Sequence, residues 1–108
     1  MIPESVNNIW GRTLNPLDNS RTCGGSSGGE GALVGCNSSP LGIGNDIGGS
    51  VWIPAVYCGV YGFKGGSKRS TLNGTVNFER VNEVTQGNLE IMTVTGPLSN
   101  SVEDCSIA

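Results

Sequence analysis

Ser50 closes the run Asn45-Asp46-Ile47-Gly48-Gly49-Ser50, and upstream of it stands a second serine-bearing run, Gly24-Gly25-Ser26-Ser27-Gly28-Gly29-Glu30. A serine hydroxyl is a weak nucleophile until a neighbouring base removes its proton. Gly24-x-Ser26-x-Gly28 has the form of a nucleophile elbow, but that device needs an imidazole base, and the chain contains no histidine. What remains is the serine-lysine class of activation, in which an amine held neutral by desolvation takes the proton. Every lysine is therefore a candidate base.

Composition narrows the alternatives. The chain has 108 residues, 36% of them hydrophobic and 14% charged, the balance of one small globular domain. Its 18 glycines far exceed the background of roughly 7%. They weaken helices and strands alike, so a larger body is expected to supply support. The net charge is −3, and only Lys68 and Arg69 are adjacent among the basic residues, which argues against a nucleic-acid partner. No apolar run approaches the ~20 residues of a membrane span, and no signal peptide is recognisable. A cytoplasmic protein is expected, with peripheral membrane contact left open. Four cysteines at 23, 36, 58 and 105 show no Cys-x-x-Cys spacing and there is no histidine to complete a site, so no structural zinc is expected and the thiols are read as reduced; no cofactor is expected either.

The elements that would carry the serines can be read in outline. Residues 1–23 read as loop with one short helical turn. Ser27-Gly28-Gly29-Glu30 has the form of a capping box, predicting a helix to about residue 34 or 35. Leu41-Gly42-Ile43-Gly44 alternates large residues with glycine as a short buried strand would. Residues 53–57, with Pro54 in a first turn and Gly59 beyond, predict a second helix, and residues 60–63 a further strand. Residues 65–88 are polar, with a turn at Asn73-Gly74. Residues 91–95 predict a strand that Gly96-Pro97 ends, and Ser101 caps a final helix.

The motif set resembles the amidase signature family. Gly24-Gly25-Ser26-Ser27-Gly28-Gly29-Glu30-Gly31-Ala32, Ser39-Pro40-Leu41-Gly42-Ile43-Gly44, Asp46-Ile47-Gly48-Gly49-Ser50, Ile53-Pro54-Ala55, Cys58-Gly59-Val60-Tyr61-Gly62-Phe63-Lys64 and Gly96-Pro97-Leu98 occur in the family's order and near its spacing. The resemblance implies an α/β fold class, the chain being a fragment of a mixed α/β/α sandwich. Within that partial domain, spanning 1–108, residues 1–23 form a loop-rich lead-in and 24–64 hold the catalytic core motifs. Residues 65–108 add a peripheral strand, turns and the start of a helix.

It also implies hydrolysis of a small-molecule amide through an acyl-enzyme. Ser50 would be the nucleophile and Ser26, preceded by a cis peptide bond, the bridging serine, with a lysine as base. Ile47, Gly48, Gly49 and Ser50 can turn successive amides toward one point, an oxyanion-hole design, with Ser27 and Asp46 in support. Glu30 and Ile47 favour the acetamidase and fatty-acid-amide-hydrolase-like branch. A glutamine amidase like the amidotransferase A subunits, or an inactive truncated or decayed amidase, are the alternatives. Oligomeric state is open.

Three departures stand out. Trp52 occupies the position of a usual arginine that partners Asp46, so either Asp46 finds another donor or the loop is loosened. Asn45 replaces a common threonine, and Gly65 replaces a proline. The family's base lies well upstream of the paired serines, and nothing in this chain matches it. Lys64 and Lys68 read as structural or solvated charge, so the lysine is missing and the isolated chain is expected to be inactive.

Overall fold

A computed structural model describes residues 3–75 and 92–108. The lead-in is not loop with a helical turn; it folds into two antiparallel hairpins. β1 (Val6–Asn7) pairs with β2 (Gly11–Arg12), and β3 (Leu14–Asn15) with β4 (Asp18–Thr22). Asparagine side chains set both turns. Asn7 Oδ1 accepts the N–H of Ile9 at 2.9 Å and of Trp10 at 2.7 Å, and Asn15 Oδ1 accepts that of Leu17 at 2.9 Å. Such local bonds give the backbone an alternative to a helix. Most of these strands are too short to show a period of two.

α1 (Gly28–Gly35) forms where expected, but the capping box does not. Ser27 makes no capping bond. The Gly28 N–H instead donates to Ser5 Oγ at 3.0 Å, a hydroxyl that also lies 3.2 Å from the Gly24 carbonyl and 3.3 Å from that of Ser26. One N-terminal side chain thus stitches the serine-rich loop and starts the helix. Freed from capping, the Ser27 side chain lies against Gly44 and that of Glu30 against Gly42.

β5 (Leu41–Asp46) runs two residues beyond the predicted strand. Its glycines form the buried face and admit α1, while Leu41 and Ile43 on the other face stay exposed. α2 (Trp52–Cys58) has Pro54 near its start and ends at Gly59, whose φ of 71° is left-handed. β6 (Tyr61–Gly62) follows.

β7 (Val94–Ser99) departs from expectation by running straight through Gly96-Pro97. It is the central strand, in the order β5-β7-β6, antiparallel to both neighbours. The Pro97 carbonyl accepts the Phe63 N–H at 3.0 Å. Within a strand residue the nitrogen and carbonyl face the same neighbour, so the missing Pro97 N–H faces Phe63, just past β6. Pairing with β5 is undisturbed. Ile91 and the polar residues beyond 75 lie outside the described residues; Asn73-Gly74 is a turn as predicted.

α3 (Val102–Ile107) does have its box: Ser101 Oγ accepts the Asp104 N–H at 3.0 Å and donates to Asp104 Oδ2 at 2.8 Å. Alternation along β7 sorts the layers. Val94, Gly96 and Leu98 share the face covered by α1 and α2, where Leu98 packs with Val51, Ala55 and Val60. Ser99 points the other way and meets Cys105 of α3 at 3.0 Å. Helices therefore lie on both faces of the sheet, as the α/β/α reading expects. Among the described residues no helix is long and apolar enough to cross a membrane.

Because Ser5, and not Ser27, caps α1, Ser5→Ala should destabilise the chain by about 1 kcal/mol. Ser27→Ala should cost clearly less, and urea denaturation of the two variants side by side checks the order.

Candidate active site

The loop at residues 47–50 leaves the end of β5, and its geometry is set by Asp46. This side chain is fully buried. Its Oδ1 accepts the Gly49 N–H at 2.8 Å and the Lys64 ammonium at 2.6 Å, and Oδ2 accepts the Val51 N–H at 2.7 Å. Burial alone would raise its pKa. The Lys64 hydrogen bond, the Val51 and Gly49 N–H groups and the Lys64 charge together outweigh that, holding the carboxyl below its ordinary value.

Asp46 thus has another donor in place of the usual arginine. Lys64, just after β6, supplies the cation and also donates to the Ile47 carbonyl at 2.7 Å. Trp52 at the vacated position is half exposed and lies against Gly49. Gly49 has φ of 123°, a conformation essentially closed to any residue with a Cβ.

The two serine-bearing loops meet through backbone. The Ser27 N–H donates to the Ser50 carbonyl at 3.1 Å, which seats the 24–27 loop beside the 47–50 loop. Gly25–Ser26 is a cis peptide. A side chain at residue 25 would strike the Glu4 backbone, so the N-terminal segment lies directly over this loop. Ser50 is buried, Ser26 is exposed and Ser27 is intermediate. No hydrogen bond joins the Ser26 and Ser50 hydroxyls among the described residues.

The expected oxyanion donors divide. The Gly49 N–H is engaged by Asp46. Those of Ile47, Gly48 and Ser50 have no acceptor among the described residues and remain open to a ligand oxygen. Lys64 is held by Asp46 and Ile47, and Lys68 is exposed with φ of 66°. Neither is placed as a base. Ser5 went unread in the sequence because nothing local marks it; Lys64 could have been found by asking which cation meets Asp46 when Trp52 stands where the resemblance leads one to expect an arginine.

Known proteins resemble this chain in sequence and in fold. A family model described as Amidase matches residues 1–108. The acetamidase of Emericella nidulans is 41% identical over 104 residues, covering 96% of this chain and 18% of that protein. The fatty-acid amide hydrolase 1 of Sus scrofa is 38% identical over 115 residues, again covering 18% of its own length and 98% of this chain. Among solved structures, a fatty acid amide hydrolase superposes with a TM-score of 0.86 at 38% identity, over 99% of this chain and 18% of its own. A 6-aminohexanoate cyclic dimer hydrolase complexed with substrate gives 0.81 at 34%, over 98% and 20%. The chain spans about a fifth of the length of the relatives it matches.

Asp46→Asn would turn an amide NH₂ toward groups that already donate, so it should lower stability at neutral pH by about 3 kcal/mol. Because the folded-state pKa of Asp46 is lowered, its contribution is complete above the unfolded carboxylate value of ~3.9 and is lost as pH falls through the folded value. The gap between wild type and Asp46→Asn in urea denaturation should therefore close on acidification through that range.

Proposed function

Because this chain belongs to the amidase signature family, we propose that it contributes the serine machinery of an amide hydrolase, with Ser50 as nucleophile and Ser26 as proton relay. The observation that carries this reading is the Ser27 N–H to Ser50 carbonyl bond at 3.1 Å. It brings the loop containing the cis Gly25–Ser26 peptide against the 47–50 loop, which carries the nucleophile candidate and open amide donors. The names of the relatives, acetamidase and fatty-acid amide hydrolase, support a small-molecule acyl amide as substrate.

In the proposed cycle, Ser50 Oγ attacks the amide carbonyl carbon while its proton passes through the Ser26 hydroxyl to a basic amine. The charge that develops on the carbonyl oxygen is met by the open N–H groups of the 47–50 loop. The carbon–nitrogen bond then breaks, and the leaving amine takes the proton back along the same path. An ester on Ser50 remains, which water hydrolyses. Lys64 is committed to Asp46 and Ile47, so the amine comes from a lysine outside these 108 residues, and these residues alone hydrolyse no amide. Peripheral contact with a membrane is compatible with this reading, as is a cytoplasmic setting.

In a chain that includes the base lysine, a fluorophosphonate probe should label Ser50, and Ser50→Ala should abolish the label. Label retained in that variant would remove Ser50 from its role. Ser26→Ala should leave the protein folded and slow labelling, while the 108 residues by themselves should show no turnover of acetamide.

A further inference from the structure

In the 47–50 loop the Asp46 carboxylate does not hold every peptide plane; the Gly49–Ser50 plane is fixed instead by its carbonyl, which accepts the Ile53 N–H at 2.8 Å. Gly49 and Val51 both give their N–H groups to Asp46, which fixes the Gly48–Gly49 and Ser50–Val51 planes. The Ile47–Gly48 plane between β5 and these anchors is different. Its N–H has no acceptor among the described residues, Gly48 is exposed, and a methyl group placed on Gly48 would meet nothing within 4 Å. Such a plane can turn over by rotating two backbone torsions, and a glycine on one side offers little steric resistance.

What holds it is the Lys64 ammonium on the Ile47 carbonyl at 2.7 Å. The bond is trans, since Gly25–Ser26 is the cis peptide found among the described residues. In a trans peptide the carbonyl and the N–H point in opposite directions. With the carbonyl pinned to Lys64, the Gly48 N–H is directed away from it, toward the open side of the loop. The same ammonium grips Asp46 at 2.6 Å, so one cation sets the carboxylate and the free plane together.

We propose that Lys64 is a positioning residue for the reaction: by holding the Ile47 carbonyl it aims the Gly48 N–H at the oxygen that becomes charged when Ser50 attacks. The assignment rests on Ser50 being the nucleophile. It gives the cation that meets Asp46 a second task, orienting a donor as well as neutralising the carboxylate.

The test has one arm that needs no activity. Nitrogen-15 relaxation on the wild-type chain should give the Gly48 amide an order parameter near the rigid value of about 0.85, and Lys64→Met should drop it below about 0.6. Gly49 and Val51, still bonded to Asp46, should stay ordered. Lys64→Arg, which can grip both oxygens, should restore Gly48. Lys64→Gln, too short to reach Ile47, should behave as Lys64→Met and replaces it where the methionine variant does not fold. In a chain carrying the base lysine, Lys64→Met should lower the maximal rate of fluorophosphonate inactivation by roughly tenfold or more, short of the 10²–10³ seen when a donor is removed outright, with probe affinity unchanged. A Gly48 amide that stays rigid in both variants overturns the proposal. So does loosening of Gly49 and Val51 along with Gly48, which would make Lys64 a general support of the loop. An unchanged inactivation rate beside a loosened Gly48 also overturns it. Failure of the nucleophile reading looks different: label retained in Ser50→Ala removes the link to catalysis, while the Gly48 order parameter still decides whether Lys64 grips the loop.

Discussion

A carboxylate without solvent access must be given donors by the fold or it forces the fold apart. Asp46 is that group here. It receives two backbone N–H groups and an ammonium, and each of these ties a different element to the end of β5. The Val51 bond fixes the start of α2, the Gly49 bond fixes the turn before Ser50, and the Lys64 bond brings in the chain after β6. Position of the serine follows from this one buried charge. An arginine two residues after Ser50 is not needed for this, because the Lys64 ammonium, from the chain just after β6, meets the same carboxylate.

The second constraint is close approach. α1 sits on β5 because Gly42 and Gly44 present no side chain, leaving room for Glu30 and Ser27 above them. The N-terminal segment crosses the serine-rich loop because Gly25 leaves room for the Glu4 backbone, and Ser5 then satisfies the polar groups exposed by that crossing. High glycine content, which weakens helices and strands taken singly, here lets backbones pack at distances that larger residues would forbid.

Much of the element order was legible: both early helices, the glycine-alternating strand and the capped final helix lie at or near the positions their residues suggest. The misreadings share a cause. Ser27-Gly28-Gly29-Glu30 fits a capping box, yet a distant hydroxyl took the cap. Gly96-Pro97 looks like a strand end, yet in β7 the proline's lost donor faces the one neighbour position where the β6 ladder has already stopped. Asn7 and Asn15 make turns whose hairpins are too short to leave a pattern.

By itself the sequence determined which groups were available: two serine-bearing glycine runs, an aspartate beside one of them, no histidine and few lysines. Those are matters of residue type and local spacing, enough to limit the chemistry to serine activation by an amine and to carry the resemblance to a family. Only the tertiary structure decided how the groups are used. That Lys64 and not an arginine meets Asp46, and that Ser5 starts α1, both depend on contacts between residues far apart in the chain. A hydrogen bond or an ion pair is fixed by distance and direction in space, and spacing along the chain sets neither until the sheet and helices have brought the partners together.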